Sequence, residues 1–377
     1  MPDLTTIVVI GGTGHFGARI CRRIVAEPHT ELVVAGRREA SAVELVRELR
    51  TRCPGASVHP ARLDQFSPGF EDDLRKLHPG IVIHTAGPYQ GQDYRVARAC
   101  IDSGCHYVDL ADGREFVEGI SRLNAAALEG NVLLVSGAST LPGLSSAVID
   151  GLRDRFQHIA EIHISIAPGH RTPRGSGTIA AVLSYCGKPF RVLVGGRWKT
   201  TYGWQDLRFE HYPDFGRRLA GACDVPDLSL FPDYVPGVKT VTFHAALEAP
   251  WEQAALWSMA WITRIGMMKD WTRLLPAFQW LSDRLINLGS DTGGMQIRIV
   301  GDDSNHMRRT CTWDLTARNN HGPEIPCTPA LVIAQKLVRN TMLERGAYAC
   351  LGMVSLAEME ESLSGLEISW KIAELDA

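Results

Sequence analysis

The chain has 377 residues, 45% hydrophobic and 21% charged, with a formal net charge of −3. That length exceeds one hydrophobic core, so two domains are expected. A near-neutral balance with no clustered basic stretch excludes a nucleic-acid partner.

Nine cysteines, an odd number without a C-x-x-C pair, give neither a disulfide framework nor a zinc knuckle. The thirteen histidines contain no H-E-x-x-H, and no metal is expected. "MPDLTTIVVIGG" has no basic start followed by an apolar signal core. A cytoplasmic location is therefore expected.

Short β-branched runs ("TTIVVIG", "ELVVAG", "VHPARLD", "GIVIHTAG", "HYVDLA", "NVLLVSG") alternate with helical stretches such as "HFGARICRRIVAE" and "EASAVELVREL". Nearly continuous apolar strands between 3.6-periodic helices predict right-handed βαβ units in a doubly wound parallel sheet. Residues 1–145 are read as this Rossmann-type domain.

The first turn carries Gly12-x-Gly14-x-x-Gly17 between a strand and a helix. Gly12 is expected to permit the turn, Gly14 to let the backbone approach a pyrophosphate, and Gly17 to let helix and strand pack closely. Thr13, His15 and Phe16 complete the loop at the helix N-terminus, where free N–H groups and the helix dipole favour anions. An NAD site usually ends its second strand in a carboxylate; here that strand ends in Gly36-Arg37-Arg38. Two guanidiniums suit a 2′-phosphate, so NADP(H) is expected over NAD(H). Asp64, after the third strand, is read either as touching the adenine side or as capping its own turn.

The fourth strand runs out into Thr85, Ala86, Gly87, Pro88 and Tyr89, at the carboxyl edge where open α/β sheets bind ligands. This turn is expected to line the nicotinamide half of the site, with Tyr89 as a candidate proton donor. Asp109 and Asp112 follow the fifth strand; they are candidate acids, or turn residues bonding their own backbone.

From about residue 158 the rhythm changes. "HIAEIHISIAP", "RVLVGGRWKTT", "VKTVTFHAAL", "GMQIRIVG" and "RRTCTWDLTARNN" alternate apolar with polar residues. Residues 146–325 thus read as an α+β domain on an open mixed or antiparallel sheet, for substrate contact or subunit pairing. "YPDFGRRLAGACDVPDLSLFPDYVPG" reads as loop. "APGHRTPRGSGT" sets Arg171 and Arg174 ahead of Ser176 and Thr178 at a helix start. That is either a substrate anion site or a solvated basic loop with a hydroxyl cap. The Trp- and Met-rich segment 254–281 is read as a buried or subunit-interface helix pair, with peripheral membrane contact as the alternative. Its apolar core is too short for a transmembrane span. Residues 326–377 are expected to pack back near the first domain.

Together, "GGTGHFG", "HTAGPYQG", "ACIDSGCHYVDLADGREF" and "GASTLPGLSSAVID", in that order and spacing, resemble the saccharopine dehydrogenase-like oxidoreductases. The resemblance covers residues 5–150, and continues more faintly through "GSGT" and "GAYACLGMVSLAEME". It implies a Rossmann domain, a second α/β domain with an open mixed sheet, NAD(P) and often a homodimer. It further implies hydride transfer to a small organic substrate, an imine between an amino acid and a carbonyl compound in the opine-forming members. The family's Pro-Tyr falls on Pro88 and Tyr89, and its aspartate on Asp109 or Asp112. Opine-forming members carry a cysteine where this chain has "SGAST", a departure that weighs against amino-acid substrates. Enoyl reduction on a lipid-like substrate, and a catalytically silent NADP-binding redox sensor, are the alternatives. Short-chain reductases are disfavoured because no tyrosine here is followed by lysine at Tyr-x-x-x-Lys spacing.

Overall fold

The computed structural model describes residues 4–173 and 175–376. The chain forms two compact units, 1–144 with 324–362, and 145–323 with 363–377.

In the first unit, β1 (Thr5–Ile10), β2 (Thr30–Gly36), β3 (Ser57–Arg62), β4 (Ile81–His84), β5 (His106–Asp109) and β6 (Leu133–Ser136) form one parallel sheet. Their spatial order is 3-2-1-4-5-6, and a late strand, Gly346–Ala349, extends the sheet beyond β6. Both faces are covered, so Ile7, Val8 and Val9 of β1 are wholly buried whichever way they point. α1 (Gly17–Ile24) follows β1 and buries Ile20, Cys21 and Ile24. α2 (Glu39–Arg52) follows β2 and buries Ala42, Leu45, Val46 and Leu49, an i, i+3, i+4, i+7 stripe. The helix Thr328–Val338 adds Leu331, Ile333 and Ala334 to the same core. The strand order reverses between β1 and β4, which sets the switch point at their carboxyl ends.

The second unit is built on a nine-stranded mixed sheet. His158–Ala167 lies at its centre, parallel to Thr240–Ala246 on one side and antiparallel to Gly293–Asp302 on the other. Arg308–Ala317 and Ile368–Asp376 complete that second side. "RVLVGGRWKTT" divides into a hairpin, because Gly195 and Gly196 both adopt positive φ (61° and 74°).

Three departures from the sequence reading have local causes. The stretch read as loop holds the strand Gly216–Ala222 and the helix Asp227–Tyr234; its small residues conceal a strand that packs through Ala220 and Ala222. The C-terminal segment divides at residue 363, and Ile368–Asp376 belongs to the second unit. Trp370 stands opposite Leu315 there and close to the Trp313 ring, with centroids 6.1 Å apart. Finally, the Trp-rich pair is not buried within its unit. Helix Pro250–Arg264 turns Leu256 and Ala260 inward, leaving Trp257 and Trp261 at 39% and 41% exposure; Trp280 of Leu275–Leu285 reaches 61%. Among the described residues, no helix is long and apolar enough to cross a membrane.

Candidate functional site

The glycine loop after β1 closes on itself. Gly12 N–H donates to the Ala35 carbonyl at 2.9 Å, and Gly14 N–H donates to that of Gly11 at 2.8 Å. The left-handed turn residue is Gly11 (φ 76°), one position before the glycine expected from the fingerprint spacing. A Cβ on Gly17 would stand 2.2 Å from the Gly11 carbonyl oxygen, so α1 touches the end of β1 backbone to backbone. Gly14 is exposed, and a Cβ there would meet only the Gly11 carbonyl, at 3.0 Å. The N–H groups of Thr13, His15 and Phe16 make no backbone hydrogen bond among the described residues. These donors at a helix N-terminus, with an uncovered Gly14 between them, fit a pyrophosphate.

Arg19 stands one turn further along α1. It donates to the His15 carbonyl at 2.6 Å and pairs with Glu324 at 3.2 Å. Burial, aided by Arg19, lowers the His15 pKa to about 4, so its imidazole is neutral at physiological pH.

At the end of β2, Gly36 is buried and faces Thr13 Oγ1, while Arg37 and Arg38 are exposed. Neither arginine has a hydrogen bond or ion pair among the described residues. Register pairs Gly36 with Arg62 at the end of β3, which brings a third exposed guanidinium to this edge. Sequence reading passed over Arg62. Its position immediately before the turn at Leu63 and Asp64 was the available signal. Asp64 accepts from the Phe66 N–H at 3.1 Å and so forms its own turn.

The turn after β4 is braced on several sides. Thr85 donates through its N–H and its hydroxyl to the Ile10 carbonyl, both at 2.9 Å. Gln92 donates to the carbonyls of Ala86 (3.0 Å) and Pro88 (2.6 Å). Gly87 and Pro88 are joined by a cis peptide and are exposed at the edge.

Tyr89 turns inward. It is 5% exposed, its hydroxyl donates to the His84 carbonyl at 2.6 Å, and its ring packs on His84 and Phe116. Burial, with Asp109 nearby, raises its pKa well above the ordinary range. A phenol committed to a backbone carbonyl anchors the turn instead of presenting a proton at the edge. The structure thus places the Tyr89 hydroxyl on an interior carbonyl and not at the edge.

Asp109 is fully buried at the end of β5. Its Oδ1 accepts from Gly137 N–H (2.8 Å), Ala111 N–H (2.9 Å) and Ser136 Oγ (3.0 Å), which fixes the loop leaving β6. Tyr107 lies between Asp109 and His84, its hydroxyl 3.1 Å from His84 Nδ1. The signal for this interior network was polar residues inside otherwise apolar strand runs. Burial raises the Asp109 pKa to about 6, against the lowering effect of its donors, and lowers that of His84 to about 3. Since the fold raises the Asp109 pKa, this group's stabilisation is complete below its unfolded value of 3.8. It is lost as pH rises through about 6. The swing is about 3 kcal/mol. Asp109→Asn is expected to remove that component, so the variant's melting temperature should gain on the wild type between pH 4 and 7.5. Parallel melting curves over that range would contradict the assignment. Asp112 lies at an exposed position and accepts from Gln90 Nε2 at 3.1 Å, yet desolvation of its carboxyl raises its pKa above the ordinary carboxylate range.

The remaining candidates belong to the second unit. Arg171 is exposed, with its backbone N–H bonded to the Ser290 carbonyl; Arg174 lies outside the described residues. Ser176 and Thr178 are exposed on the helix Ser176–Ser184, whose N-cap is Gly175, so neither hydroxyl caps it.

The first unit is therefore a Rossmann domain shaped for a pyridine dinucleotide. Residues 7–135 match the family model of the saccharopine dehydrogenase NADP-binding domain. The chain is similar to a probable mitochondrial saccharopine dehydrogenase-like oxidoreductase of Arabidopsis thaliana. The two are 28% identical over 149 residues, 36% of this chain and 32% of that protein. It is also similar to a lipid droplet localized protein of Caenorhabditis elegans, 26% identical over 136 residues, 34% of this chain and 32% of that one. The matches thus span about a third of these curated relatives. Among solved structures, apo saccharopine dehydrogenase (L-Glu forming) from Saccharomyces cerevisiae shares the fold. Its TM-score is 0.68 at 14% identity, over 98% of this chain and 100% of that one. Residues 7–135 thus resemble a saccharopine dehydrogenase NADP-binding domain, and the fold of the chain is that of saccharopine dehydrogenase.

Proposed function

We propose that the protein is an NADP(H)-dependent oxidoreductase that moves a hydride between the nicotinamide and a small organic substrate. The family resemblance favours an imine or opine-type C–N bond. The carrying observation is the glycine loop at the switch point, with Arg37 and Arg38, unpaired among the described residues, at the end of the neighbouring strand. In this reading Thr13, His15, Phe16 and Arg19 hold the pyrophosphate, and Arg37, Arg38 and Arg62 take the 2′-phosphate. When bound, the cofactor supplies the hydride. Thr85 to Pro88 then shape the nicotinamide edge and exclude water, while Asp112 is the carboxylate available to hold or give a proton.

NADPH consumption decides the reaction class. Pairs of keto acid and amine, run against enoyl thioesters, should show turnover with the former. Turnover with enoyl thioesters alone would transfer the assignment to C=C reduction. Silence with every acceptor, despite tight NADPH binding, would favour the redox sensor. That second reading draws on one observation: Tyr89 and Asp109 are both committed to interior hydrogen bonds.

We further propose a homodimer through the exposed Trp257, Trp261 and Trp280 face, since tryptophan-rich apolar surface is typical of interface cores. A monomer in sedimentation equilibrium would refute it. Nine free thiols, most of them buried, support a reducing compartment such as the cytoplasm.

A further inference from the structure

The Trp-bearing helices leave the second unit's sheet after the strand Thr240–Ala246 and return to it at the strand Gly293–Asp302. This excursion covers residues 250–288, and both of its ends meet one side chain, His170, in the turn after the strand His158–Ala167. Glu252 stands at the entry, in the first turn of helix Pro250–Arg264, with Oε2 3.3 Å from His170 Nδ1. The Leu285 carbonyl stands at the exit, 2.8 Å from His170 Nε2. The imidazole is 4% exposed and the Glu252 side chain 14%, so water reaches neither freely.

The backbone around the ring is fixed by other bonds. His170 N–H donates to Glu248 Oε2 at 2.7 Å, Ser290 N–H donates to the same oxygen at 3.0 Å, and Arg171 N–H donates to the Ser290 carbonyl at 2.9 Å. A Cβ on Gly289 would stand 2.3 Å from His170 Cβ, so the returning chain lies against the root of the ring. Of the charged groups here, Glu248 is held by those two N–H groups and lies 3.6 Å from Arg218. Arg171 is exposed, and Asp291 accepts from the Thr292 hydroxyl. Among the described residues, Glu252 is the charged group that pairs with the ring itself.

The two contacts of the ring place unequal demands on it. A carbonyl oxygen only accepts, so Nε2 carries a proton. A neutral imidazole then presents a lone pair at Nδ1, and the Glu252 carboxylate presents lone pairs in return. Neither His170 Nδ1 nor Glu252 Oε2 has a hydrogen-bond partner among the described residues, which is costly in a space nearly closed to water. One further proton, on Nδ1 or on the carboxyl, turns that opposition into a hydrogen bond, charge-assisted when it sits on the ring.

We propose that His170 and Glu252 form a proton-operated clamp that seats the Trp-bearing helices on the second unit's sheet. With the extra proton, one ring ties the entry of the excursion to its exit. Without it, the ring holds the exit alone, and the entry is freer to move. Acid therefore closes the clamp and alkali opens it. The clamp does not depend on the oxidoreductase reading; only its consequence for self-association rests on the proposed dimer through Trp257, Trp261 and Trp280.

Hydrogen exchange of the full chain, read by mass spectrometry and corrected for the intrinsic pH dependence of amide exchange, tests the clamp. From about pH 8.5 to about pH 5.5, protection of peptides within 250–288 should rise roughly tenfold. Peptides of the hairpin Pro189–Tyr202 should not follow. Glu252→Gln discriminates a clamp from a merely structural contact. Its amide N–H donates to the neutral Nδ1, so protection should be high at both pH values. His170→Phe should give low protection at both. A flat response in the wild type, a wild-type response in Glu252→Gln, or low protection of Glu252→Gln at the alkaline pH would each overturn the proposal. Should His170→Phe fail to fold, Glu252→Gln decides by itself. Sedimentation at the same two pH values reads the dimer separately: a monomer throughout would sink the dimer reading and leave the exchange result intact.

Discussion

Alanine at both Arg37 and Arg38 is expected to weaken NADPH binding by roughly a hundredfold or more, while NADH affinity changes by less than about threefold. Both guanidiniums are exposed at the end of β2 and, among the described residues, unpaired, so no internal ion pair is broken by removing them. A 2′-phosphate is the one group that distinguishes the two cofactors, and charge-assisted pairs to it are the strong kind. Fluorescence titration with each cofactor reads the difference. An equal loss for both would mean that the pair serves general electrostatics and that NADP(H) is the wrong assignment. Arg62, in register with Gly36, is expected to retain part of the phosphate affinity in the double variant.

Gly17→Ala is expected to damage fold and binding together. Its Cβ would stand 2.2 Å from the Gly11 carbonyl oxygen and 2.7 Å from Thr85 Oγ1. Gly11 belongs to a turn whose φ of 76° few other residues adopt, and Thr85 is tied to the Ile10 carbonyl. Neither neighbour can yield without disturbing the ends of β1 and β4. A cost of about 2–4 kcal/mol follows, seen in calorimetry as a melting temperature lower by roughly 5–15 °C. Gly14→Ala separates the two effects. Its Cβ meets only the Gly11 carbonyl, at 3.0 Å, so melting should change little. In the proposed site that same methyl would stand where the pyrophosphate approaches, so NADPH affinity is expected to fall sharply. Unchanged NADPH affinity in Gly14→Ala would place the phosphates elsewhere.

Much of the first unit was legible because its signals are local. Apolar runs such as "TTIVVI" dictate buried parallel strands, and the glycine spacing identifies a strand–turn–helix. Even there, the residue with the left-handed conformation is Gly11, since spacing names the motif but not each backbone angle. The site was less legible. Tyr89 lies in the expected turn, yet its hydroxyl faces inward to His84; a side chain's direction depends on what packs around it. Arg62 escaped notice because cross-strand register is a long-range property.

By itself the sequence determined the class of the first unit, the place of its glycine loop and the guanidinium pair that follows β2. Each of these rests on neighbours within a few residues along the chain. Tertiary structure alone decided where the C-terminal segment divides, so that it completes the first core only up to residue 362 while Ile368–Asp376 adds a strand to the second sheet. It also decided that Asp109 is an interior pin, its carboxylate held by the Gly137 and Ala111 N–H groups and the Ser136 hydroxyl. These outcomes come from pairing between distant segments and from which atoms are removed from water, and no window along the chain contains either.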